Sequence, residues 1–487
     1  MAQSPISRRG VLAGAGAALA ALACRTSPPV ARGRDRRPIV IVGAGLSGLV
    51  IAYRLAQRGY PVQVLEATAR AGGRIRTIRG FPDGAYVEAG ATHVLPDPPL
   101  VALLAELGLD SPPRTPRVPL ATVTYRHGMR TVTAAGKDPP SDRVFSAAER
   151  AAGFDATLAR YFAMADQITP AMHRTMQWSP ALAALDRVTC AEHLRALGAS
   201  PGFLAEIDDM LQLGRGVAAI SALEAMRTFA AIRDEQSWPV SGNHNGRIAG
   251  GSDRLPRALV ERLGDRVALS TVVERIEHDA KGARLVVRDP RGRRRLDAAR
   301  VVLTMPAPAM RAIAVAPGWS AGKARAIAEL EMTSVTRIWV ASDRRYWLAR
   351  GEAGRADSDL PTGRVRDETD LQPGPAGVLG AYAWGEAGHA LAALDDAARI
   401  AAFTADVARV HPDTAGHLGH GATIAWERER FVRGGYAAFT PGQLTALRPA
   451  LAAPEGVIHF AGCGTSHRPG FLHGALASAL RVLDEIA

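Results

Sequence analysis

Lysine and cysteine are nearly missing from this chain of 487 residues. Cys24, Cys190 and Cys463 are its only cysteines. Three thiols cannot build a disulfide framework or a four-cysteine metal site, and neither CxxC nor HExxH occurs. Lysine stands only at positions 137, 281 and 323, so arginine carries the formal charge of +12. The arginines are scattered and no nucleic-acid-binding motif accompanies them. That argues against a nucleic-acid face and for a general use of arginine in place of lysine. Long apolar runs are missing too. The stretch from Val11 to Ala23 is too short to span a bilayer. What remains, 47% hydrophobic and 22% charged residues, is the composition of a globular protein long enough for more than one domain.

The first residues read as a leader. Ser7-Arg8-Arg9-Gly10-Val11-Leu12 precedes the apolar stretch, as in a twin-arginine export signal. Ala21-Leu22-Ala23 fits the small-x-small cleavage rule and would make Cys24 the first mature residue. Lipidation of Cys24 is an alternative, although Ala21 stands where such signals usually have leucine. Membrane contact is expected only if Cys24 is lipidated. Residues 25–37, which include "RGRDRR", read as a linker. Twin-arginine export carries folded proteins, so the leader fits a chain that traps a cofactor before it leaves the cytoplasm. A periplasmic or extracellular location is expected.

The segment "PIVIVGAGLSGLVIAYRLAQRGYPVQVLE" (Pro38–Glu66) has the order strand, glycine turn, helix, strand, acid. Gly43 permits the tight turn, Gly45 lets a pyrophosphate approach the backbone, and Gly48 lets helix and strand pack closely. The helix start offers free N–H groups to phosphate. Glu66 stands where ribose hydroxyls would donate. That pattern alone cannot separate NAD from FAD. The next residues do: "EATARAGGR" places Gly72, Gly73 and Arg74 just past the acid. Two glycines permit close backbone contact, and an arginine supplies charge for phosphates or a flavin edge. An extended FAD needs that second approach; a nicotinamide does not.

With these residues the chain resembles the flavin-containing amine oxidases: monoamine, polyamine and L-amino-acid oxidases, with protoporphyrinogen oxidase and phytoene desaturase as relatives. The resemblance covers nearly everything after the leader. It extends through "YVEAGATHVLP" (Tyr86–Pro96), "GGSDRLPRALVERLGDRVALSTVVERIE" (Gly250–Glu277), "RVVLTMPAP" (Arg300–Pro308), "WERERFVRGGYAAFTPG" (Trp426–Gly442) and Gly456–Ile486. It implies an α/β and α+β architecture. A Rossmann-like FAD-binding domain would be made of discontinuous segments (38–95, 246–310 and 426–487). A mixed-sheet and helical substrate domain would take 96–245 and 311–425. Residues 97–245 read as helical, with capping boxes at Thr189–Glu192 and Ser221–Glu224. Residues 351–377 read as a long polar loop.

The motifs and the resemblance together assign cofactor contacts. They fall on Gly43, Ala44, Gly45, Leu46, Ser47 and Gly48, and on Glu66, Ala67, Arg70, Gly72, Gly73 and Arg74. Gly90, Ala91, Thr92, Val273 and Trp426 follow, then Gly462, Cys463, Gly470, Phe471 and Leu472. The resemblance implies that Tyr436 and Phe471 flank the substrate amine as an aromatic cage. It also marks departures. Gly435 occupies the place where some members attach FAD to cysteine, which implies noncovalent FAD. No lysine stands near Arg311, where many members hold a water at the flavin, so Arg311 is the candidate substitute. His93 replaces the arginine with which L-amino-acid oxidases bind the substrate carboxylate. It is a candidate to take the amine proton or a structural histidine. Gly464 removes a usual carboxylate, and His467 and His473 flank the last helix without metal geometry.

The expected reaction is oxidation of a small-molecule amine by FAD, with O2 or another acceptor reoxidising the flavin. Three alternatives stay open: an L-amino-acid oxidase, a desaturase or tailoring oxidase, and a flavoprotein that has lost catalysis.

Overall fold

The computed structural model describes residues 36–95, 97–111, 120–137, 143–234, 246–466 and 470–486. The leader, Cys24 and His467 lie outside the described residues. Among those described, no helix is long and apolar enough to cross a membrane.

Ile39–Val42 is four β-branched residues buried on both faces, as a central parallel strand requires. It pairs in parallel with Val62–Leu65 on one side and Arg300–Leu303 on the other. Val267–Ala268 and Ile458–Phe460 complete a five-stranded parallel sheet. All five strands come from the three segments assigned to the cofactor. Alternation along the strands sorts the core. Ile39, Ile41, Val64 and Val302 pack with helices Leu46–Gln57, Arg254–Leu263 and Phe471–Ile486. Val40, Val42, Leu65 and Leu303 pack toward a second sheet of Val272–Asp279, Gly282–Asp289 and Gly292–Ala298. Ala314–Ala316 joins this second sheet beside Val272–Asp279, so the cofactor-side structure runs past the expected boundary at residue 310.

The other large sheet has seven strands, ordered Leu418–Ala425, Val335–Ser342, Gly377–Trp384, Arg364–Asp367, Glu352–Ser358, Ala121–Arg126, Met129–Thr133. Helices Gly385–Ala393 and Asp396–Val410 cover one face, where Ile338, Val340, Ala356, Val365 and Phe403 form a core. The opposite face looks toward the cofactor segments, with Trp339, Tyr382 and Trp426 packed near Phe81 and Val87.

Two expectations fail here. The region 97–245 is not wholly helical, because 121–133 is a hairpin. His127 and Gly128 both take positive φ (51° and 76°), the geometry of a tight turn that matches strand twist. The expected loop at 351–377 contains strands Glu352–Ser358 and Arg364–Asp367, whose charged alternation hid them. Of the two capping boxes, Thr189–Glu192 is reciprocal. At Ser221 only half forms. The Ser221 N–H donates to Phe439 O at 2.9 Å, and Glu224 turns to a buried ion pair with Arg227. A reciprocal box at Ser146–Glu149 is an addition.

Candidate active site

The carboxyl ends of the parallel strands converge on the glycine turn. Gly43 has φ +106°, and a side chain there would strike Thr304 Oγ1 at 2.6 Å. A Cβ on Gly48 would lie 2.1 Å from Gly43 O, so helix and turn touch. Above Gly45, by contrast, a Cβ would meet nothing within 4 Å. The N–H groups of Ser47 and Gly48 open the helix with no partner among the described residues, and no acid stands in the first turn. Free N–H groups, open space and a positive dipole end are what a pyrophosphate needs. Ser47 spends its hydroxyl elsewhere, on Ala475 O at 2.9 Å, tying this helix to the last one.

Glu66 holds the turn from below. One carboxylate oxygen accepts from Ala44 N at 2.8 Å and the other from Thr68 N at 2.9 Å. Residues 268–271 run alongside: Glu66 N donates to Ala268 O, Ser270 N to Thr68 O, and Thr271 N to Glu66 O. Val273, buried, follows at the start of its strand. Ala67 is half-buried beside Glu66.

The second glycine pair answers the first. Gly72 N donates to Ala44 O at 2.8 Å, and a Cβ on Gly73 would approach the Cα of Gly45 to 3.4 Å. Arg70 folds back on this loop, donating to Gly73 O at 2.7 Å, and burial lowers its pKa. Arg74 donates to Gly435 O, joining the cofactor loop to the segment that carries Tyr436. Gly90 lies so close beneath that a Cβ would be 1.7 Å from Arg74 O. Ala91 and Thr92 continue from it, with Thr92 Oγ1 on Gly90 O at 3.1 Å. Trp426 is fully enclosed, its indole N–H on Ala89 O at 2.8 Å. A small pocket is lined by Arg74, Thr304, Met305, Gly462, Cys463, Gly464 and Thr465. The open space over Gly45, the unbonded N–H groups at the helix start and the close approach of Gly73 fit the pyrophosphate of an extended dinucleotide. Gly462 has φ +110°, and its N–H donates at 3.0 Å to Ser478 Oγ, midway along the last helix, which fixes that helix beside this turn.

The expected aromatic pair is unequal. Tyr436 is half-buried, its hydroxyl donating to Gln212 O and accepting from Tyr382 at 3.4 Å. Burial raises its pKa well above 10, so it stays a neutral phenol. Phe471 follows Gly470 (φ +71°), itself has φ +48°, and is 38% exposed. Its ring stacks on His473 at 5.6 Å. Leu472 points into the helix core, so only its backbone can reach a ligand. His93 is half-buried, held by the paired hydrogen bonds between Val94 and Gly246 (2.9 and 3.0 Å).

Arg311 does not serve the site. Its guanidinium donates to Ile327 O at 2.7 Å and Leu330 O at 2.8 Å, closing the C-terminus of helix Ala321–Glu329. A cation at a helix C-terminus meets unpaired carbonyls and a favourable dipole, which is why it turns there.

Several residues were missed. Thr304 wedges the glycine turn, with Oγ1 donating to Val42 O at 2.9 Å. Tyr382 was visible in "GAYAW", where every second residue shares a face. Glu88 was quoted but not singled out. It accepts from Ser252 N at 2.8 Å and Thr77 Oγ1 at 2.9 Å, yet burial raises its pKa to about 7. No metal-binding group of His, Cys, Asp or Glu occurs among the described residues.

A sequence profile of the flavin containing amine oxidoreductases matches residues 46–487. An L-amino-acid oxidase of Protobothrops flavoviridis is 27% identical over 465 residues, covering 92% of this chain and 88% of that one. A putative L-amino-acid oxidase of Bacillus subtilis (strain 168) is 26% identical, covering 92% and 94%. Among solved structures, putrescine oxidase bound to putrescine superposes with a TM-score of 0.79 at 25% identity, covering 92% of this chain and 98% of that one. Cyclohexylamine oxidase from Brevibacterium oxydans IH-35A shares the fold, with a TM-score of 0.79 at 23% identity over 92% and 99% of the two chains. The chain belongs to the flavin-containing amine oxidoreductase family.

Proposed function

We propose that this flavin-containing amine oxidoreductase binds FAD without a covalent bond and oxidises the carbon beside a substrate amine. The observation that carries the reading is one continuous path. It runs from the free N–H groups over Gly45, through the Gly45–Gly73 cleft, to Arg74 on Gly435 and the half-buried ring of Tyr436. Noncovalent binding is supported at Gly435. Glycine has no thiol, and a Cβ there would lie 2.5 Å from Val335 Cγ2, so a side chain would require Val335 to shift.

When bound, FAD supplies the acceptor for a hydride equivalent from the C–H bond next to the amine. The chain supplies position and proton handling. Tyr436, fixed at its hydroxyl, offers a rigid neutral face that excludes water and cannot act as a base. His93 is the proposed acceptor of the ammonium proton, since the amine must be neutral before oxidation. The imine leaves and water hydrolyses it. O2 is the proposed final acceptor, giving hydrogen peroxide. An α-amino acid is a second substrate reading, supported by the names of the curated relatives. Export by the twin-arginine route to the periplasm or exterior is part of the proposal.

Acid precipitation of the purified protein tests the cofactor claim. Flavin should appear in the supernatant; yellow protein in the pellet would show a covalent bond. Peroxide released in air on addition of an amine tests the reaction. Its absence across amines and amino acids would remove the oxidase reading.

A further inference from the structure

One short turn holds both ends of the Tyr436 side chain. Helix Pro201–Leu211 ends at Gln212, whose backbone is left-handed (φ +53°), and Gly214 is left-handed again (φ +58°). The first reversal takes the Gln212 carbonyl out of the helix ladder, where it accepts from the Tyr436 hydroxyl. The second brings Gly214 N to Thr333 Oγ1 at 2.9 Å. Glycine is required at that point, since a Cβ would lie 2.9 Å from Ile220 Cγ2 and 3.2 Å from the Cβ of Ala438.

Thr333 in turn holds the backbone of Tyr436. Its N–H donates to Tyr436 O at 2.8 Å, and its carbonyl accepts from Gly435 N at 2.8 Å. Strands Glu331–Met332 and Ala437–Ala438 continue this pairing. The links close on themselves. They run from the Tyr436 hydroxyl to the Gln212 carbonyl, from Gly214 N–H to the Thr333 hydroxyl, and from the Thr333 backbone back to Tyr436. Thr333 is 1% exposed. Valine would fill nearly the same space, but only a hydroxyl can also accept from Gly214.

We propose that Thr333 is a positioning residue of the site: through the turn 212–214 it fixes the orientation of the Tyr436 ring. The proposal rests on the amine-oxidation reading, in which that ring is a wall of the substrate site. A ring held only by its backbone can change rotamer, whereas one held at its hydroxyl as well keeps a single orientation. Small displacements of a positioning group slow a reaction whose atoms must stay aligned.

Amide exchange and the visible circular dichroism of the flavin-loaded protein test this without turnover. Thr333→Val should raise exchange in peptides spanning residues 212–216 at least about tenfold, the loss of one hydrogen bond. It should also change the flavin dichroism. Tyr436→Phe leaves Thr333 in place and should change both readings in the same direction. The double variant should go no further than the larger single change, because both substitutions open one loop of contacts. Thr333→Ser keeps the acceptor and should restore both readings. An amine that bleaches the wild-type flavin should bleach Thr333→Val at least about tenfold more slowly. Additive changes in the double variant would overturn the proposal. So would an unchanged dichroism where exchange has risen, or bleaching of Thr333→Val at the wild-type rate. Should Thr333→Val not fold, Tyr436→Phe decides, and unchanged exchange at 212–216 would then overturn the proposal. If no amine bleaches the wild type, the oxidation reading falls, while exchange and dichroism still decide the role of Thr333.

Discussion

A Cβ atom on Gly73 would sit 3.4 Å from the Cα of Gly45, so the two glycine motifs are the facing walls of one cleft. The turn opens the cleft from the helix side, and "AGGR" closes it from the other. Two glycines and an arginine follow Glu66 because backbone must pass backbone there, and Arg74 must then reach Gly435.

That relationship makes Gly45 the cleanest test of the cofactor site. Its backbone is extended (φ −72°) and a Cβ there would meet no protein atom within 4 Å. Gly45→Val should fold with stability within about 1 kcal/mol of wild type, as for surface changes. It should lose its flavin by filling the space over the helix start. Flavin absorbance per protein, with urea unfolding as the control, checks both halves.

The unequal aromatic pair predicts unequal costs. Tyr436→Ala removes a half-buried ring and leaves the Gln212 carbonyl without its donor. It should destabilise the protein by about 2–3 kcal/mol. Phe471→Ala, at a ring 38% exposed, should cost less than about 1 kcal/mol. Equal losses in urea unfolding would contradict the described geometry.

Arg311→Ala should leave flavin reoxidation by oxygen within about twofold of wild type and cost roughly 1 kcal/mol of stability, the worth of a helix-end cation. Stopped-flow reoxidation of the reduced protein decides the point. A large slowing would restore Arg311 to the site.

Glu88 gives the protein a pH signature. Desolvation raises its folded pKa from 4.5 to about 7, against the two donors that favour its charged form. The folded state then binds more protons between these values. The stability that Glu88 contributes is fully present below about pH 4.5 and is lost as pH rises through about 7, by no more than about 3 kcal/mol. Glu88→Gln should flatten that slope, as measured by denaturant unfolding at pH 5 and 7.5.

The cofactor half was legible because its signals are local. A β-branched run, three spaced glycines and an acid need no distant partner to be recognised. The substrate half was less so. "EAGRADS" and "RVRD" show charge where a half-buried strand normally shows polar residues facing solvent, and here the charge faces inward. The His127–Gly128 turn lacks the usual Asn-Gly or Asp-Gly signal. Arg311 was assigned by its place along the chain, which fixes the backbone but not where a long side chain points.

The most direct test is an anaerobic titration of the purified protein, followed by its visible spectrum, with amines and with amines that carry a carboxylate. The account predicts a flavin band that bleaches with an amine substrate. A protein with no flavin band, or a band that stays oxidised with every amine offered, would contradict it.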